Sequence, residues 1–164
     1  MSLTTIEQHH FRRVCSKYAT GITILTVLDS RGAPHGMTVN SFTSVSLSPP
    51  LVLVCIDRQA AMLNHFALGK HFAINVLHEE HKELSTAFAR SGRDRFEGVE
   101  WRPGETGCPI LPDMLATLEC VVTQLVEAGD HVVVIGEALH ASWREGQPLI
   151  YFNSGYQALR TISS

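Results

Sequence analysis

Gly36-Met37-Thr38-Val39-Asn40-Ser41-Phe42-Thr43-Ser44-Val45-Ser46-Leu47-Ser48-Pro49-Pro50 decides how the chain is read. Short hydroxyl or amide residues alternate with apolar ones, the period of a strand with one wet and one dry face. A plain surface strand carries charges on its wet side, and this one carries none. Thr38, Asn40, Ser41, Thr43, Ser44, Ser46 and Ser48 are all short, neutral and able to donate or accept hydrogen bonds. Such a face lets a large flat ligand approach the backbone; a Ser/Thr-rich edge strand that only keeps the chain soluble is the competing explanation. Pro49-Pro50 offers no N–H and stops the ladder, and Leu51 to Ile56 opens an apolar strand.

Upstream, Thr4 or Thr5 can cap a first helix with Glu7 in its first turn, and Phe11, Val14, Cys15 and Tyr18 follow at helical spacing. Gly21 to Leu28 is β-branched and predicts a strand, returned by the turn Asp29-Ser30-Arg31-Gly32 as a hairpin partner of the opening stretch. Downstream come a helical piece from Ala60 to about Leu68, a strand His71 to Leu77 and a helix Glu79 to Arg90. A loop with a short piece around Val99 and Trp101 leads to two long β segments, Ala116–Glu127 and His131–Trp143, and a last strand Leu149–Asn153. Short strands with turn signals and three short helices predict a mainly β protein, a closed barrel in one domain spanning 1–164.

Composition narrows the function. The chain has 164 residues, 45% hydrophobic and 18% charged, with formal net charge −3. That is enough chain to bury a core without staples, and its charge offers no basic field for nucleic acid. No apolar run reaches membrane-spanning length, and the first residues lack the pattern of a signal peptide. Cys15, Cys55, Cys108 and Cys120 are scattered with no C-x-x-C, all but Cys108 inside apolar segments, which predicts reduced thiols in the cytoplasm. His78-Glu79-Glu80-His81 is not H-E-x-x-H, so a solvated first helical turn is expected there and no metal. There is neither a G-x-G-x-x-G nor a Walker A loop, which speaks against a classical dehydrogenase or kinase.

Met37 to Ser46 followed by Pro49-Pro50-Leu51-Val52-Leu53-Val54-Cys55-Ile56 resembles the signature of the flavin reductase-like domain family. Phe72 to Leu77, Arg95-Phe96, Gly129-Asp130-His131 and Pro148 to Phe152 fit in the same order. The resemblance implies an FMN-binding split barrel of about six antiparallel strands in Greek-key order, which dimerises. It implies an NAD(P)H-dependent flavin reductase that binds FMN or FAD and NADH or NADPH, and supplies reduced flavin to a partner monooxygenase. Flavin contacts are then expected from Thr38, Val39, Asn40, Ser41, Ser44 and Ser46, from Cys55, Ile56 and Asp57, and from Ala61 and Phe88. Arg58 and Arg93 or Arg95 are the expected phosphate cations, although Ala60-Ala61 stands where family members often carry hydroxyls. Tyr151, Phe152 and Tyr156 are expected to complete the pocket with a neighbouring subunit. Gly129-Asp130-His131 by spacing alone is a hairpin turn; the resemblance makes it the nicotinamide side and His131 the catalytic candidate. Two rivals are a flavin-binding electron carrier that retains FMN and an oxidase of the pyridoxamine-phosphate type.

Overall fold

The computed structural model describes residues 5–90, 92 and 94–160. Two expectations, Thr4 as a cap and Arg93 as a phosphate ligand, lie outside the described residues. In chain order the elements are α1 (Gln8–Cys15), β1 (Thr20–Gly21), β2 (Thr23–Leu28), β3 (Pro34–Val39), β4 (Thr43–Leu47), β5 (Pro50–Asp57) and β6 (His71–Val76). After α2 (Lys82–Ala89) come β7 (Arg102–Pro103), β8 (Pro109–Ile110), β9 (Ala116–Ala128), β10 (His131–Trp143), β11 (Ile150–Phe152) and β12 (Gly155–Gln157). Single 3-10 turns cover Ala61–His65 and Glu79–His81.

The main sheet has seven strands in the order β3-β2-β6-β9-β10-β5-β4, every pair antiparallel. The expected count was about six. The stretch expected as one strand is two, because Asn40-Ser41-Phe42 breaks it and sends each half to an opposite edge of the sheet. Among the described residues no pairing joins β3 to β4, so the barrel is split at that break. The Pro-Pro pair does not end the ladder either: β4 and β5 form a hairpin that pairs Leu47 with Pro50. Pro50 is tolerated there because it opens its strand.

β2 is buried on both faces, which is why its sequence is a continuous apolar run. Leu25 and Val27 join Val54, Ile56, Phe72, Ile74 and Val134 inside the barrel. Ile24 faces the other way, into a second cluster with Phe88, Phe96, Leu111 and Leu149. Asn75, fully buried, ties these layers: its side chain donates to the Ile24 carbonyl and Thr26 Oγ1, each at 3.1 Å, and accepts from the Leu111 amide at 3.0 Å. Gly36 passes so close to Phe88 that an added Cβ would sit 2.6 Å from the ring.

Three local expectations change. The α1 N-cap is Glu7, without a side-chain cap, and no residue of the helix is buried, so its apolar stripe faces outward. Cys15 is exposed with it, whereas Cys108 is buried; all four cysteines are free. The piece expected around Val99 and Trp101 is the β7–β8 ribbon, one residue further on.

Candidate functional site

Where β4 starts at Thr43, opposite Leu53, β5 continues for four residues with no strand on that side. Ser41 partly replaces the missing strand: its hydroxyl donates to the Cys55 carbonyl at 3.1 Å and accepts from the Cys55 amide at 2.9 Å. On the opposite side β10 pairs Val133 with Cys55, Val132 with Ile56 and His131 with Asp57. The register therefore gathers Ser41, Cys55, Ile56, Asp57 and His131 at one end of the barrel, beside the break at Asn40. Arg58 joins them, its amide donating to the Asp130 carbonyl at 3.0 Å.

His131 opens β10 after a tight turn in which Gly129 takes φ 64°. Its Nδ1 lies 2.7 Å from Asp130 Oδ1, and its side chain remains 43% exposed. That hydrogen bond, with the imidazole's charge, lowers the Asp130 carboxyl below its ordinary value. The ring is thus oriented by its neighbour and open to a ligand. Asp57 spends Oδ1 on the Gln59 amide at 2.7 Å, and Arg58 pairs with Glu127 at 3.6 Å on the surface. Burial raises the Cys55 thiol, so it stands as a neutral group.

A cavity of about 820 Å³ lies beyond Arg58, and none of Ser41, Cys55, Ile56, Asp57, Arg58 and His131 lines it. Gln59, Ala60 and Ala61, which follow Arg58 directly, line it together with His35, His65 and Arg95. Arg95 donates from Nε to the Arg90 carbonyl at 2.8 Å and from Nη1 to the Gly36 carbonyl at 2.6 Å. It clamps β3 to the end of α2, and burial lowers its pKa.

The remaining expected residues divide by accessibility. Val39, Ile56 and Phe88 are buried in the cores, where their side chains pack. Thr38 donates its hydroxyl to the Ser85 carbonyl at 2.7 Å, and Ser41 is committed to Cys55. The Ser41 hydroxyl takes the place of strand pairing at the break, and the Thr38 hydroxyl ties β3 to α2. Asn40 and Ser44 are exposed and Ser46 half-buried. Tyr151 and Tyr156 stand elsewhere, ring against ring at 5.8 Å, with the Tyr156 hydroxyl 3.1 Å from Ser85 Oγ. They and the exposed Phe152 belong to the β1–β11–β12 sheet and are not brought to His131 within one chain. Arg31, His35 and His65 were not among the expected site residues; His35 and His65 lie on separate elements and carry no local motif.

A family model described as flavin reductase like domain matches residues 15–160. A Rhizobium meliloti protein named "Probable flavin reductase" is 45% identical over 136 residues, 83% of this chain and 44% of the relative. The chain thus spans under half the length of that relative. The Mycobacterium tuberculosis protein named flavin-dependent monooxygenase, reductase subunit HsaB, is 34% identical over 157 residues, covering 94% of this chain and 83% of its own. Among solved structures, the Streptomyces globisporus NADH:FAD oxidoreductase SgcE6 in complex with NAD and FAD fragments superposes with a TM-score of 0.89. Its identity is 36%, and 96% of each chain is covered.

Proposed function

Since this chain belongs to the flavin reductase-like domain family, we propose that it is an NAD(P)H:flavin oxidoreductase of one domain, reducing FMN or FAD for a partner monooxygenase. The observation that carries this is the uncharged break Asn40–Phe42 laid along the open edge of β5, with the His131 turn paired to the other edge of the same strand at that end. When bound, the flavin supplies the ring that accepts the hydride. The chain's own part is to hold the two reactants in close, fixed orientation, since hydride transfer depends on approach more than on acid–base help.

The residues present fit such a group. Asn40, Ser44 and Ser46 leave polar side chains at the break and along the β4 edge, and the β5 edge offers backbone groups beyond Ser41. Preorganised donors of this kind stabilise negative charge arising on a bound ring. Ala61 admits a ligand into the cavity and Arg95 supplies cationic charge there. His131, aimed by Asp130, is the candidate to hold the nicotinamide. Relatives named for NADH:FAD oxidoreduction and for a monooxygenase reductase subunit support the same reading.

We further propose a homodimer. Leu47 is 96% exposed on β4, Phe11, Val14 and Tyr18 are exposed on α1, and Phe152 on β11. A second copy covering these faces would bring Tyr151, Phe152 and Tyr156 to a neighbour's break. The free cysteines support a cytoplasmic, reducing setting. Steady-state oxidation of NADH and NADPH with FMN, FAD and riboflavin offered in turn tests the activity. Turnover with a flavin that dissociates is expected; tightly retained flavin without NADH oxidation would make the chain an electron carrier instead.

A further inference from the structure

The break at Asn40–Phe42 is fastened by a hydroxyl on each side. Ser41 ties it to Cys55 on β5. On the β3 side the anchor is Thr38, whose hydroxyl donates to the Ser85 carbonyl at 2.7 Å. Gly36 and Thr38, two residues apart on β3, face the same side of the sheet. There α2 lies, with Phe88 packed against Gly36. Met37 and Val39 face the other way, into the barrel core. Thr38 is thus the last side chain of β3 turned towards α2, and the placing of α2 decides where the break begins.

The helix has a polar tether of its own. Ser85, fully buried, places Oγ 3.1 Å from the Tyr156 hydroxyl, and Thr86 Oγ1 lies 3.4 Å from the same oxygen. Lys82 Nζ, about one turn earlier, stands 5.8 Å from the centre of the Tyr156 ring. Tyr156 belongs to β12, in the β1–β11–β12 sheet, which shares no strand with the main sheet. One tyrosine therefore holds three residues of α2.

Helix stability alone does not explain a serine at this position. Alanine is the better helix former, and a buried hydroxyl is destabilising unless it is hydrogen-bonded. What the hydroxyl adds is direction. Consecutive residues project about 100° apart around a helix, so an oxygen shared by Ser85 and Thr86 fixes the rotation of α2 about its axis. Burial of Phe88 is non-directional and leaves that rotation free. The rotation aims the Ser85 carbonyl, and Thr38 follows the carbonyl.

We propose that Tyr156 is a positioning residue for the flavin: through Ser85 it sets the rotation of α2, and through Thr38 that rotation sets the shape of the break. The role lies in the hydroxyl and is exercised within one chain, so it is separate from lining a neighbour's pocket. It rests on the reading that the break takes a flavin. The nicotinamide side is not on this path of contacts, because the His131 turn is held by β5 and β10.

Equilibrium dialysis of FMN and of FAD reads affinity with no NADH present. Tyr156→Phe, which keeps the ring, and Ser85→Ala should each weaken binding about threefold or more, and Thr38→Val about tenfold, the effect of one lost hydrogen bond. Thr38→Ser keeps the donor and should restore most of the affinity lost in Thr38→Val. Tyr156→Phe combined with Thr38→Val should bind no more weakly than Thr38→Val alone, because both act on one path. The loss should appear in flavin affinity and not in the KM for NADH at saturating flavin. A residue that only stabilised the fold would lower the melting temperature and leave the flavin affinity of the folded protein unmoved. Ser85→Ala removes the same hydrogen bond, so misfolding of Tyr156→Phe does not protect the proposal. Unchanged flavin affinity in Tyr156→Phe or Ser85→Ala, or additive losses in the double variant, overturns it and leaves the reductase reading standing. An unmodified chain that binds neither flavin overturns both.

Discussion

His131 is a side chain that can be removed without opening a core: its ring is half-exposed and its one recorded partner is Asp130. His131→Ala should leave flavin affinity unchanged while raising the KM for NADH or slowing flavin reduction by about tenfold, the effect of losing one positioning hydrogen bond. Stopped-flow reduction checks this, and wild-type NADH dependence in the variant would mean the histidine only begins a strand. Individual contacts were only partly readable beforehand. That residues around 38–46 would form a binding face followed from their uncharged pattern, and that 55–58 would join them followed from the resemblance. Which hydroxyls remained spare did not, because Thr38 and Ser41 are consumed by Ser85 and Cys55, partners 47 and 14 residues away. His35 and His65 were invisible for the same reason: the sequence shows two isolated histidines, and only the packing of β3 against the 3-10 turn stacks them.

At the level of elements, the long β9 and β10 matched expectation almost to the residue, since each is a sustained β-branched run closed by Gly129-Asp130. The opening stretch did not, because strand periodicity carries no mark of a break when the residues at it are themselves small and polar. β9 also fixes a loop that composition does not announce. Glu119, 6% exposed, accepts the Thr106 amide at 2.6 Å, the Thr106 hydroxyl at 2.5 Å and the Glu105 amide at 3.0 Å, with Gly104 packed against its carboxylate. Burial pushes this carboxyl upward, and the Thr106 and Glu105 hydrogen bonds outweigh it, so its pKa is lowered. A lowered folded-state pKa means the stabilisation is present above the unfolded value and is lost as pH falls through the folded one. Glu119→Gln should therefore cost about 1–3 kcal/mol at neutral pH. The gap from the unmodified chain should be narrower at an acid pH, below the lowered folded-state value, than at neutral pH, because a protonated carboxyl is as uncharged as the amide. Urea unfolding at the two pH values measures it; an equal gap at both would refute the assignment.

For the whole molecule, the exposed Leu47, Phe11, Val14 and Tyr18 set the expectation of a dimer. Sedimentation equilibrium should find two copies, and Leu47→Glu should weaken association by about tenfold or more, as a charge is buried without a partner. A stable, flavin-reducing monomer of the unmodified chain would rule the dimer out. A last consequence follows from how the described ends of the chain are held. The Asn153 amide donates to the Ser16 carbonyl at 2.7 Å, Lys17 reaches the Asn153 side chain across 136 residues, and Thr20-Gly21 find their strand partner only in Ile150-Tyr151. Contacts this distant in sequence form late and slow folding. During synthesis on the ribosome, β1 must wait without a partner until the segment beyond Leu149 has emerged. A message truncated before that codon yields a product whose barrel strands are all present but whose first sheet has nothing to close it.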